Sequence, residues 1–320
     1  MRILVTGGAG FIGSNLANSL ATKKENNVVV LDDLSLGTPA NLAPSVKFAQ
    51  GSIMQSDLVN EMTKDCDYIF HQAAKSSSPM FKDDPREGVD VNVIGFMNVM
   101  EGARRNKVKK VIYATSSSIY NGLQAPFKES QTVSPRSFYE TSFYCREAVA
   151  RSYFLEYDVS SIGLRYFSIY GPNEAHKKNF ANNISQFLWD MVKDKSPLIY
   201  GDGSQTRDFT YVEDVVQANT LAMQSDKKFG IYNVGTGVET SFNEVLKIIN
   251  AQLGTAIRAE YQKNPIRNYV QQTMADISLA SKELGYRPRW NVANGVKSLV
   301  KLIMQHPPET LATAHSSIKK

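Results

Sequence analysis

The chain has 320 residues, 42% hydrophobic and 21% charged, which excludes a disordered composition and suits one large or two closely fused domains around a sizeable core. Its 36 Lys and Arg against 31 Asp and Glu leave a charge of +5, dispersed along the chain, which suits phosphorylated ligands and argues against nucleic-acid binding. No apolar run reaches membrane-spanning length, the start lacks secretory order, and Cys66 and Cys145 lack metal-ligand spacing, so a reduced, cytoplasmic protein with no metal and no membrane partner is expected.

Short β-branched runs at residues 3–5, 28–31, 46–48, 68–70, 111–114 and 161–164 alternate with segments of helical apolar spacing at 12–21, 89–105 and 139–156. That alternation predicts an α/β fold, a Rossmann-type doubly wound parallel sheet. Past Gly171 the pattern loosens into shorter elements with polar turns such as Tyr200-Gly201-Asp202-Gly203 and Asn233-Val234-Gly235-Thr236-Gly237. The expected division is a dinucleotide-binding domain at 1–171 and a smaller substrate-binding C-terminal lobe at 172–305. Parts of that lobe are allowed to return to the main sheet, and a flexible polar tail follows at 306–320.

Val5-Thr6-Gly7-Gly8-Ala9-Gly10-Phe11-Ile12-Gly13 leaves the first strand and opens the first helix. Glycine is needed there because the turn is tight, the backbone must approach a pyrophosphate, and the helix must pack on the strand; the helix N-terminus then attracts the phosphate charge. The second strand ends in Leu31-Asp32-Asp33, an acid for ribose hydroxyls that repels a 2′-phosphate, so NAD is expected over NADP. Asp32 is preferred by its place at the strand end, with Asp33 the alternative.

With later segments added, the chain resembles the extended short-chain dehydrogenases, specifically the NAD-dependent nucleotide-sugar epimerases and dehydratases, and among them most the UDP-glucose 4-epimerase group. The likeness runs from Thr6-Gly7-Gly8-Ala9-Gly10-Phe11-Ile12-Gly13 to Ala275-Asp276-Ile277-Ser278. It implies oxidation of a sugar carbon by tightly held NAD, rotation or further reaction of the keto intermediate, and return of the hydride. Implied cofactor contacts are Gly7, Gly10, Phe11, Ile12, Gly13, Asp32, Ile53, Ala73, Lys75, Asn92 and Tyr139. The stretch Ala114-Thr115-Ser116-Ser117-Ser118-Ile119-Tyr120 implies a catalytic hydroxyl at Ser116, with Ser117 the nearest competitor and a substrate contact.

Tyr139 matches the family's catalytic tyrosine, whose phenolate takes the sugar hydroxyl proton as hydride leaves carbon. In Tyr139-Glu140-Thr141-Ser142-Phe143-Tyr144-Cys145-Arg146-Glu147, however, Phe143 stands where the family has a lysine that bonds the ribose and favours phenolate. An unperturbed tyrosine with a pKa of about 10 is ionised in roughly one molecule per thousand at pH 7. Another charge compensates, or turnover is slow, or the site is inactive; Lys75 and the nicotinamide ring are the candidate charges.

On the substrate side, the match through Gly201-Asp202-Gly203-Ser204-Gln205-Thr206-Arg207-Asp208-Phe209-Thr210-Tyr211-Val212-Glu213-Asp214-Val215 implies that Arg207 grips a nucleotide diphosphate, the alternative being a surface ion pair with Asp208 or Asp214. Arg267 lies close to a second phosphate-binding position. Asn182 or Asn183 reaches the diphosphate or caps a helix running to Lys193. Ser168 stands where relatives have an asparagine beside the diphosphate, and Ser52 where many have an acid beside adenine. Ser117 and Ser118 replace the acid pair of a 4,6-dehydratase, which disfavours dehydration, while decarboxylation stays open. A homodimer through the helices at 89–105 and 139–156 is expected, since both carry apolar residues on more than one face.

Overall fold

The computed structural model describes residues 1–264 and 269–305. Among them, seven parallel strands make the central sheet: β1 (Arg2–Thr6), β2 (Asn27–Asp32), β3 (Lys47–Gln50), β4 (Tyr68–His71), β5 (Lys110–Ser116), β6 (Ser161–Tyr166) and β7 (Phe229–Val234). Their spatial order is β7-β6-β5-β4-β1-β2-β3, a Rossmann-type sheet whose direction of travel reverses between β1 and β4. Ligands bind beyond the strands' carboxyl ends at such a switch point.

The strands outrun their apolar runs at those ends, adding Thr6, Asp32, His71 and Ser116, so the sheet itself delivers polar groups to the crevice. The expected strand at 46–48 is displaced to Lys47–Gln50: Val46 is buried just before it, and the strand lies at the sheet edge. β7, from the segment past Gly171, pairs with β6 along its whole length, from Phe229 opposite Ser161 to Val234 opposite Tyr166.

The longer helices are, in chain order, α1 (Phe11–Ala21), α2 (Gly95–Arg105), α3 (Phe138–Tyr157), α4 (Asn183–Met191), α5 (Val212–Gln224), α6 (Phe242–Leu253) and α7 (Val292–Gln305). Ile3, Val5, Val28 and Val30 pack with Leu16 of α1 and Val215 of α5. Leu4, Leu31 and Ile69 point the other way, toward Phe96 and Val99 of α2 and Ala150 of α3. Strands covered on both faces need such near-continuous apolar runs, and each buried Leu, Ile or Val stabilises the fold by about 1.5–3 kcal/mol. A third cluster, with Phe187, Phe242, Val245 and Val296, joins α4, α6 and α7.

The expected helix at 89–105 is not continuous. A short helix, Pro85–Val89, capped by Asp84, runs through a π turn at Asp90–Ile94 before α2 begins. The wide turn coincides with the fully buried Asn92, whose side chain faces inward and bonds to a neighbouring loop. Among the described residues, no helix is long and apolar enough to cross a membrane, and no cluster of three or more His, Cys, Asp or Glu could hold a metal.

Candidate active site

The carboxyl ends of the strands open into one cavity of about 500 Å³, a size suited to small-molecule ligands. At one end is the glycine turn. Gly7 has φ +69°, and a Cβ there would fall 2.5 Å from the Ala73 backbone nitrogen, so only glycine lets the two loops close. A Cβ on Gly13 would meet the Gly7 carbonyl oxygen at 2.1 Å, which fixes how tightly α1 seats on the turn. The first turn of α1 has no side-chain cap, which leaves N–H groups for an anion.

Asp32, buried at the end of β2, accepts N–H bonds from Ala9 at 3.0 Å and Leu34 at 2.8 Å. Burial pushes its carboxyl above the usual range while those two N–H groups pull it back. Asp33 also lines the cavity but is exposed and accepts from the Ser35 N–H. Gly10, Phe11, Ile12, Ile53 and Ala73 complete this wall. An uncapped helix N-terminus, glycines at the close approaches and a buried acid beyond them together fit a dinucleotide.

Asn92 is outside the cavity lining. Its Oδ1 accepts the Lys75 N–H at 2.8 Å, and its Nδ2 donates to the Lys75 carbonyl at 3.2 Å and to Ser142 Oγ at 3.0 Å, so it holds the loop that carries Lys75. Lys75 does line the cavity, but its Nζ lies 2.7 Å from Glu87 Oε1, so a carboxylate already answers its charge.

At the centre of the cavity, Tyr139 and Ser116 meet. Tyr139 stands in the first turn of α3, which Ser137 caps by accepting the Glu140 N–H; Ser116 ends β5. Their hydroxyls are 3.3 Å apart, Ser116 Oγ is 2.8 Å from Ser118 Oγ, and Tyr139 Oη donates to the Ser76 carbonyl at 3.3 Å. Ser117 lines the cavity without joining this chain of hydroxyls, which favours Ser116 as the working hydroxyl and adds Ser118, a residue that the sequence reading placed only against dehydration. Burial pushes the Tyr139 phenol above its ordinary value; bonds with Ser116 and Ser118 and the charge of Arg146 pull it down.

Phe143 is buried with its ring edge-on to Tyr139, centroids 5.1 Å apart. On its other side lies Arg146, fully buried, with its guanidinium carbon 5.0 Å from the Phe143 ring centre. Sequence reading had no signal for Arg146, because nothing local says that this position of α3 turns inward.

At the far end, Arg207 donates to the Thr206 carbonyl at 2.7 Å and lies over the rings of Tyr269 and Phe242. It has neither of the ion pairs considered for it. Asp208 is buried and accepts N–H bonds from Thr236, Gly237 and Ala275, and Asp214 accepts from Arg289 and Trp290. Burial lowers the Arg207 pKa, as expected of a charge held away from water. Ser168, in the left-handed region at φ 39°, and Asn182 also line the cavity. Asn182 Oδ1 accepts the Ile184 N–H at 2.9 Å and caps α4, which ends at Met191 rather than Lys193. Arg267 lies outside the described residues.

Residues 3–235 match the NAD dependent epimerase/dehydratase family. The chain is 37% identical to a putative UDP-glucose 4-epimerase of Methanocaldococcus jannaschii, over 93% of this chain and 97% of that protein. It is 33% identical to a UDP-glucose 4-epimerase of Mycolicibacterium smegmatis, over 94% and 98% of the two chains. Among solved structures, UDP-glucose 4-epimerase from Thermotoga maritima with UDP-glucose superposes with a TM-score of 0.91 at 30% identity, covering 95% of this chain and 99% of that one.

Proposed function

The chain belongs to the NAD-dependent epimerase/dehydratase family, and on that premise we propose that it interconverts the C4 epimers of a UDP-hexose, UDP-glucose and UDP-galactose first among them, through a transient 4-keto sugar. NAD, when bound, supplies a hydride acceptor that gives the hydride back. Every other task falls to side chains. Among the described residues Arg207 has no carboxylate partner, and it offers a planar fork of donors to the diphosphate. Tyr139 Oη takes the proton from the sugar hydroxyl being oxidised, and Ser116 Oγ, 3.3 Å away, shares it. Asp32 orients the ribose at the opposite end.

The observation that carries this reading is the Ser116–Tyr139 hydroxyl pair in the wall of one cavity that runs from the glycine turn to Arg207. Ser118 favours epimerisation over dehydration, since it bonds Ser116 where a dehydratase needs an acid to protonate the departing hydroxyl. The working unit in this reading is a cytoplasmic homodimer joined through α2, α3 and the π turn. Met97, Tyr144, Leu155 and Ile94 are exposed on those elements.

Purified protein incubated with UDP-, dTDP- and GDP-sugars and followed by NMR tests the proposal. Conversion of UDP-glucose to an equilibrium mixture with UDP-galactose is expected. Carbon dioxide release from UDP-glucuronate would replace this reading with decarboxylation, and bound NAD that no nucleotide sugar reduces would overturn catalysis altogether.

A further inference from the structure

We propose that Arg146 is a positioning residue for the Tyr139 phenolate, a buried cation that favours the ionised tyrosine from behind the ring of Phe143. The kinetic side of this proposal rests on the epimerase reading; the ionisation of Tyr139 does not.

The observation that demands explanation is a guanidinium with no exposed surface and, among the described residues, no carboxylate bonded to it. Its Nε donates to the Asn92 carbonyl at 3.1 Å, Nη1 to that of Ala114 at 2.9 Å and Nη2 to that of Ala73 at 3.3 Å. These carbonyls satisfy the hydrogen-bonding geometry and leave the charge unneutralised. A buried charge in that condition is costly to hold.

The acids nearby are committed elsewhere. Glu147, next in sequence, is bonded to Arg165 and Thr115; Glu140 accepts from Asn121 and the Arg136 N–H; Glu87 pairs with Lys75. The other titratable groups packed around Arg146 are uncharged at neutral pH. Burial drives His71 on β4 well below its usual range and the Tyr113 phenol on β5 far above its own. Burial pushes Arg146 down from its ordinary value, yet a guanidinium keeps its proton throughout the range in which tyrosine ionises. Of the groups that feel this cation, Tyr139 is the one that gains negative charge when it works as a base.

The path between them is short. The Phe143 ring touches both, with Tyr139 edge-on at 5.1 Å between centroids and the guanidinium carbon at 5.0 Å. The guanidinium carbon therefore lies within about 10 Å of the Tyr139 ring centre, a range at which an effective dielectric of about 20 favours phenolate roughly tenfold. A cation in contact with the phenol would do more, so Arg146 compensates in part for the aromatic side chain at 143.

The test removes the charge by two routes and reads Tyr139 directly. In the NAD-loaded protein, phenolate absorbance attributable to Tyr139 is obtained by subtracting the titration of Tyr139→Phe. Arg146→Met, and Arg146→Gln as a second variant that keeps donors for the carbonyls, are expected to move that ionisation about one pH unit upward. Arg146→Lys restores it in part, because a buried ammonium sheds its own proton near the pH at which tyrosine ionises. Single-turnover NAD reduction by UDP-glucose should fall roughly tenfold at pH 7 in the neutral variants and converge on wild type at high pH, which a merely structural loss would not do. An unchanged ionisation in a folded neutral variant overturns the proposal. If both neutral variants unfold, Arg146→His decides, since imidazole keeps a donor for the carbonyls and is neutral where tyrosine ionises: a Tyr139 midpoint about one pH unit above that of wild type upholds the proposal, and an unchanged one overturns it. Failure of every sugar to reduce NAD, with the ionisation shift present, would remove the epimerase reading and leave the role of Arg146 intact.

Discussion

Placing a lysine at position 143 tests the site most severely, because the structure makes that substitution help chemistry and harm the fold at once. Phe143 is only 4% exposed and packs with Ile119, Tyr120, Phe127 and Phe167. An ammonium in its place would stand near Tyr139 on one side and the Arg146 guanidinium on the other. Two unit charges about 5 Å apart at an effective dielectric of about 20 interact by about 3 kcal/mol. That energy favours the phenolate by about 100-fold and opposes Arg146 by the same amount.

Phe143→Lys alone should therefore lose about 3 kcal/mol of stability in urea unfolding, beyond any loss of aromatic packing. Its single-turnover rate at pH 7 should rise. Because the active form is phenolate and burial raises the Tyr139 pKa, the wild-type rate should climb with pH well into the alkaline range, and the lysine should draw that climb toward neutrality. Adding Arg146→Met to Phe143→Lys removes the repulsion and should recover most of the lost stability, whereas the same change in wild type slows the reaction. The combination is then strongly non-additive. Stability effects that add to within about 0.5 kcal/mol would refute the reasoning, since they would mean that positions 143 and 146 do not share an electrostatic site. A wild-type rate already flat above pH 7 would refute the alkaline climb.

The other expectations are more local. Calorimetry should show NAD binding with NADP far weaker, because the buried Asp32 carboxylate meets the 2′-phosphate position; equal affinities would remove that role. Arg207→Ala should weaken UDP-glucose binding by about 2 kcal/mol or more, since a charge-assisted diphosphate contact is lost, and unchanged affinity in a folded variant would leave Arg207 as a packing residue over Tyr269. Light scattering at micromolar concentration should report a homodimer that Leu155→Glu weakens; a wild-type monomer would contradict the use of the exposed faces of α2 and α3.

What could be read in advance divides by the range of the interactions involved. The glycine turn is legible because its requirements are local: a strand end, a left-handed residue at Gly7 and a helix start lie within seven residues. Asp32 and Ser116 are legible as polar residues closing apolar strands, because a parallel sheet ends its strands at the crevice. The π turn at Asp90–Ile94 is not, since its buried Asn92 answers to Lys75 and Ser142, 17 and 50 residues away. Arg146 is the extreme case. Its three acceptors belong to Ala73, Asn92 and Ala114, brought together only when β4, β5 and the π turn have packed on α3. Helical periodicity misleads at this position, because an arginine is counted as polar and assigned to the solvent face. The same periodicity makes Phe143 look like ordinary core. Three residues apart on a helix, the two lie on one face, so an aromatic ring at 143 and a cation at 146 are neighbours by geometry alone. A missing charge at one helical position is thus evidence of an inactive site only after the positions one turn away have been inspected for where the charge has gone.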